Sequence, residues 1–212
     1  MTTALPLFDE AQGAAAVGSP LDLRVVQPAP ERAGMGTHQS AAMKNDEWLT
    51  PPHVLQALGP FDLDPCAPVV RPWPMATHHY TAADNGLAKP WTGRVWLNPP
   101  YGQETGRWMQ RLAEHSNGIA LIFARTETAI FFPWVWERAT AWLFLKGRLH
   151  FHYVDGTRAA ANSGAPSVLV AYGDNNAKAL ECSGLPGKLL HNARLTGPQR
   201  AAHNCNEGHD HE

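Results

Sequence analysis

The chain has 212 residues, 44% of them hydrophobic, and a formal net charge of −2. That length and apolar content suit one globular domain with some chain to spare. No apolar run approaches the roughly 20 residues of a membrane span, and the N-terminus lacks the basic start and continuous apolar stretch of a secretory signal, so a cytoplasmic protein without membrane partners is expected.

In chain order, residues 1–43 are rich in Ala, Gly, Pro, Ser and Thr, hold no tryptophan and show no sustained periodicity, which predicts a disordered lead. All eight tryptophans lie between Trp48 and Trp142, and this marks where a core can be built. Helical spacing is expected over 53–58, 106–115 and 128–138; in the second, Trp108, Arg111, Leu112 and His115 share one face. Apolar runs over 61–64, 95–97, 119–124, 141–145 and 167–172 predict strands. Strands alternating with helices predict an α/β domain over 44–173, with a mostly parallel sheet flanked by helices. Ligands of such sheets bind beyond the carboxyl ends of the strands. Three of those ends carry polar or proline-containing sequence: Asp64-Pro65, Asn98-Pro99-Pro100 and Arg125-Thr126-Glu127. Past Gly173 the pattern fades, so 174–212 is expected to be a flexible tail, its His203, His209 and His211 solvated rather than metal-binding. Cys66, Cys182 and Cys205 are odd in number and outside any C-x-x-C spacing, which points to neither a disulfide framework nor a zinc site; Cys66 reads as a small core residue.

Charge is unevenly placed. Between Lys44 and Gly173 there are 11 Lys and Arg against 10 Asp and Glu, whereas the flanks carry a net charge of −3. Arg125, Arg138, Lys146, Arg148 and Arg158 outnumber Glu127, Glu137 and Asp155, an excess compatible with phosphate contact.

The stretch Val95-Trp96-Leu97-Asn98-Pro99-Pro100-Tyr101-Gly102 poses a chemical question. Proline fixes φ and has no N–H, so the two prolines make a rigid exit from a strand. The Asn98 amide oxygen and the Pro99 carbonyl are two acceptors aimed in set directions, and a planar exocyclic amine has two N–H donors to meet them. Tyr101 offers a ring on which the base carrying that amine can stack. Those features describe a pocket for a base swung out of its helix.

Together with its surroundings, this stretch resembles the S-adenosylmethionine-dependent amino-group methyltransferases, most closely the small phage-type DNA N6-adenine methyltransferases. The likeness covers about residues 44–173 and runs through Trp48-Leu49-Thr50-Pro51-Pro52, Phe61-Asp62-Leu63-Asp64-Pro65-Cys66-Ala67, Asp84-Asn85-Gly86-Leu87 with Trp91, and Asn98-Pro99-Pro100-Tyr101. Gly147-Arg148-Leu149-His150-Phe151 and Asn162-Ser163-Gly164-Ala165-Pro166-Ser167 are similar to that family as well. The resemblance implies a Rossmann-like methyltransferase fold, S-adenosyl-L-methionine as cofactor, DNA as partner, adenine N6 as acceptor, no metal requirement, and a phage or prophage origin. It also implies that Asn98, Pro99, Pro100 and Tyr101 are catalytic, and that Thr50, Pro51, Asp64, Pro65 and Asp84 bind cofactor, with a turn role as the competing reading of Asp84. The x-G-x-G turn common in methyltransferases is replaced after Asp64 by Pro65-Cys66-Ala67-Pro68.

The same tetrapeptide is similar to that of RNA methyltransferases and of the enzymes that methylate glutamine in release factors. Those proteins carry the glycine-rich turn and a separate substrate domain, and neither is evident here. A DNA-binding protein without turnover is a further alternative, against which the intact tetrapeptide weighs. Cytosine N4 is the nearest chemical rival, although Asn98 and Tyr101 differ from the Ser and Trp common in cytosine enzymes. No large recognition domain is present, so base recognition is expected in short insertions, 69–80 or 146–166.

Overall fold

The computed structural model describes residues 47–194, so the lead expected over 1–43 and the three terminal histidines lie outside the described residues. Seven strands form one sheet in the order β2-β1-β3-β4-β6-β5-β7. They are β1 (Leu63–Asp64), β2 (His78–His79), β3 (Val95–Leu97), β4 (Gly118–Phe123), β5 (Ala141–Leu145), β6 (Ser167–Tyr172) and β7 (Gly187–His191). The helices are α1 (Pro52–Leu58), α2 (Thr105–His115) and α3 (Asp174–Cys182).

The expectation of a mostly parallel sheet is corrected. β2, β1, β3 and β4 pair in parallel, but β6 runs antiparallel between β4 and β5, and β7 antiparallel beside β5. By ladder length the sheet is mostly antiparallel, since β4 with β6 and β5 with β7 are its long pairings. The sequence hides this because β5 and β6, buried on both faces, read as continuous apolar runs whichever way they point.

Strand alternation sorts the core into two layers. Trp96, Ile119, Leu121, Leu143, Leu169 and Ala171 pack on one face with Val54 and Leu58 of α1 and Ala177 and Leu180 of α3. Val95, Leu97, Ala120, Ile122, Trp142, Val168 and Val170 pack on the other with Trp108, Met109 and Leu112 of α2. Each large side chain so buried contributes about 1.5–3 kcal/mol, so both faces hold their helices. α1 starts with Pro52 in its first turn and ends at Gly59, at φ 79°. α2 stops where Ser116 turns left-handed at φ 61° and donates its N–H to the Leu112 carbonyl.

Two other expectations change. The helix read over 128–138 contracts to a π-helical turn, Phe132–Trp136, closed by the Glu137 N–H on the Phe132 carbonyl; Pro133 has no N–H to extend a regular ladder. The tail expected from residue 174 is folded over much of its length. α3 and β7 belong to the sheet layers, with Ala141 to Leu145 paired against His191 to Gly187. β7 is mostly exposed, so its sequence carries no burial alternation. A chain ending at Gly173 is expected to unfold at least about 3 kcal/mol more easily than one ending at Arg194, because α3 takes Leu180 with it and uncovers its neighbours. Urea titration of the two chains measures this, and equal midpoints would mean that the segment adds nothing. No described helix is long and apolar enough to cross a membrane.

Candidate active site

The ends of β1 and β3 and the segment before α1 meet around a cleft of about 500 Å³, whose lining does not include the end of β4 at Arg125-Thr126-Glu127. β3 exits into Asn98-Pro99-Pro100-Tyr101, all four of which line it, and the adjacent β1 exits into Pro65 and Cys66, which line it as well. Trp48 and Thr50 close one side; Asn85, Gly86 and Leu87 close another.

The Asn98 side chain is held in one orientation. Its Nδ2 donates to the Trp48 carbonyl at 3.0 Å, a bond only the NH₂ end can make, so the other end of the amide is the acceptor Oδ1. The Tyr101 hydroxyl reaches that oxygen at 3.4 Å. Neighbouring carbonyls are engaged: the Asn98 backbone carbonyl accepts the Cys66 thiol at 3.3 Å, and the Pro100 carbonyl accepts the Thr105 hydroxyl at 2.8 Å. Between them the Pro99 carbonyl accepts no hydrogen bond among the described residues. Tyr101 is half-buried and stacks on Phe123 at the end of β4, with ring centroids 4.1 Å apart and planes 17° apart. Burial pushes its hydroxyl well above the ordinary phenol range.

The expected cofactor residues separate into those at the cleft and those behind it. Thr50 and Pro65 line it, and the Thr50 hydroxyl, on a residue 1% exposed, has no hydrogen-bond partner. Pro51 faces a different cleft, because backbone alternation turns it away from its neighbour. Asp64 is 2% exposed and is not on the cleft wall; its Oδ1 accepts the Cys66 N–H at 3.1 Å and thereby sets the turn that carries Pro65 and Cys66. Burial pushes the Asp64 carboxyl up to about 7, opposed by that N–H and by the Arg71 charge. Asp84 is exposed and is not among the residues that line the cleft; its carboxylate accepts the Thr81 N–H and hydroxyl, both at 2.8 Å, which hold it below the usual carboxylate range. It thereby caps the turn that presents Asn85 to Leu87. Gly86 has no room for a side chain, since a β-carbon there would overlap the Pro65 carbonyl oxygen, and its own carbonyl accepts the Trp91 indole N–H at 2.8 Å.

Several site features were not expected from the sequence. Cys66, read as core, is half-buried on the cleft wall, and burial together with Asp64 keeps its thiol protonated. Phe123 ends a strand and looks like ordinary core, with no signal that it backs Tyr101. Trp96, wholly buried at the cleft floor, has an indole N–H without a partner. Among the described residues no cluster of His, Cys, Asp or Glu side chains is arranged to hold a metal ion.

No curated protein and no solved structure matches the chain. The model of the DNA N-6-adenine-methyltransferase (Dam) family does match it, over residues 37–182, a span that takes in every strand end described above and the whole of α3. With most of its length inside that match, the chain belongs to the DNA N-6-adenine-methyltransferase (Dam) family.

Proposed function

We propose that the protein methylates the N6 amine of an adenine extruded from DNA, using S-adenosyl-L-methionine, in a Rossmann-like methyltransferase fold. The observation that carries this reading is the Asn98 amide, whose nitrogen is tied to Trp48 so that its oxygen, beside the unengaged Pro99 carbonyl, offers two acceptors to one planar amine. The cofactor fits the chain on independent grounds. The cleft volume lies in the range of small-ligand sites, and its floor holds two donors without partners, Thr50 Oγ1 and Trp96 Nε1, suited to the acceptor atoms of an amino-acid carboxylate. Thr50, Pro65 and the Asn85 to Leu87 turn would hold it, with Asp64 beneath them setting the Pro65-Cys66 turn.

When bound, S-adenosylmethionine supplies an electrophilic sulfonium methyl. The rest is orientation by this chain. Adenine N6 is a poor nucleophile because its lone pair is delocalised into the ring. Asn98 Oδ1 and the Pro99 carbonyl hold its two hydrogens, favour a pyramidal nitrogen and aim the lone pair, an interaction stronger in the transition state than in the ground state. Tyr101, backed by Phe123, stacks on the base.

The test is product analysis. Purified protein with labelled cofactor is offered duplex DNA, single-stranded DNA, RNA or protein, and digested products are read by mass spectrometry. N6-methyladenine from DNA is the expected result. N4-methylcytosine would replace the base, and label in RNA or protein would replace the substrate class. Tyr101→Ala is expected to weaken productive DNA binding by about 1–3 kcal/mol, the worth of one base on one ring. Tyr101→Phe is expected to keep most activity, since only the long contact to Asn98 Oδ1 is lost. Equal loss in both variants would mean that the hydroxyl, rather than the ring, is what matters.

A further inference from the structure

A second cleft, about 540 Å³, lies on the other side of the segment that carries Trp48 and Thr50. One wall is the start of α1 and the other is the chain after β5, with His53, Lys146, Arg148, His150, His152 and Arg158 along it. No acidic residue lines it. Lys146, Arg148 and Arg158 are exposed, and none forms an ion pair among the described residues. Asp155, the one acid between residues 146 and 158, is occupied locally, accepting the Thr157 N–H at 2.8 Å and hydroxyl at 2.7 Å.

The wall is rigid. His152 exchanges both backbone hydrogen bonds with Leu49, at 2.9 and 3.1 Å, and pairs across a short hairpin with Arg158. His150 is held to the Ala159 carbonyl at 3.2 Å, and the Lys146 N–H to the Pro186 carbonyl at 2.8 Å. The His152 ring meets Trp73 edge-on at 5.3 Å, so the two insertions read from the sequence as alternative recognition elements are packed together. His152 Nδ1 is buried at the wall with no partner. Burial, and then the charges of Arg158 and His53, lower the basicity of His152, as expected where positive potential is concentrated.

We propose that this cleft is the backbone groove of the substrate: the sugar-phosphate strand of DNA runs through it, its phosphates met by Lys146, Arg148 and Arg158, while the Trp48 to Thr50 segment divides it from the cleft that takes the extruded base. The proposal rests on DNA as the substrate. Three cations on a hydrogen-bonded wall that carries no acidic residue complement a polyanion, and their shared wall with the Asn98 cleft places backbone and target base on one continuous strand.

The test measures binding of the full chain to a labelled duplex by anisotropy over a salt series. The triple variant Lys146→Gln, Arg148→Gln, Arg158→Gln is compared with a charge-matched control, Lys89→Gln, Lys178→Gln, Arg194→Gln, whose residues are exposed and line neither cleft. Each lost phosphate contact removes about 0.9 from the slope of log affinity against log salt, so the groove variant is expected to lose about 2–3 and the control less than about 1. Calorimetric affinity for S-adenosylmethionine is expected to be equal in all three proteins, which shows that the groove variant is folded. Equal slopes for groove variant and control overturn the groove, and so does a wild type that binds no DNA. Methyl transfer is scored separately: a slope lost in the groove variant while wild type leaves adenine unmethylated keeps the groove and removes adenine methylation. The converse result removes the groove alone.

Discussion

Replacing Asn98 by alanine is expected to lower turnover about 10²–10³-fold, the loss measured when one preorganised group facing the reacting atoms is removed. Affinity for S-adenosylmethionine is expected to stay within about threefold, because an interaction realised in the transition state registers in the rate constant rather than in ground-state binding. The geometry explains why Asn98 has this weight. Its nitrogen is committed to the Trp48 carbonyl, so its oxygen cannot rotate away. Single-turnover methylation of duplex DNA with saturating cofactor, beside calorimetry of cofactor binding, measures both quantities. Comparable N6-methyladenine yield from wild type and Asn98→Ala would remove Asn98 from the chemistry. A matching loss of cofactor affinity would make it a structural residue of the cleft.

Stability is expected to fall with rising pH through a window set by Asp64. Burial raises its carboxyl from the ordinary aspartate value of 3.8 to about 7 in the folded protein. Between those values the folded state binds more protons than the unfolded chain, so stability is fully present below about 4, declines as pH rises, and levels off above about 7. A shift of this size corresponds to about 4 kcal/mol in all, of which about 2–3 kcal/mol falls between pH 5 and pH 8. Asp64→Asn keeps an oxygen for the Cys66 N–H and has no proton to lose, so its unfolding free energy is expected to change that much less between pH 5 and pH 8. Urea titrations of both proteins across that range decide it, and parallel pH profiles would mean that Asp64 does not titrate there. A cationic cofactor nearby favours the carboxylate. Wild-type cofactor affinity is therefore expected to rise between pH 6 and pH 8 by more than that of Asp64→Asn, if Asp64 serves the cofactor from beneath the wall.

Sequence alone determined much of this protein, because some of its signals are local. The β3 to Tyr101 exit was legible from its prolines, which admit one backbone geometry whatever surrounds them. β5 and β6 coincide with their apolar runs, since a strand buried on both faces needs nothing but such a run. The family was legible from four short motifs in order, and the family match extends over the same region. Tertiary structure decided what depends on partners distant in sequence. The insertion of β6 between β4 and β5 set two antiparallel pairings into the sheet, which an apolar run does not encode. α3 and β7 are held by β5 and the core rather than by strong patterns of their own, so a stretch read as tail is folded. Asp64 and Asp84, similar acids on paper, took different places: one is buried under a turn, and the other is spent on Thr81 at the surface. The pairing of Asn98 with Trp48, 50 residues away, and of Tyr101 with Phe123 came only with the packing of strand ends. A hydrogen bond or a stacked ring is a property of two groups brought together, and the chain between them carries no record of the meeting.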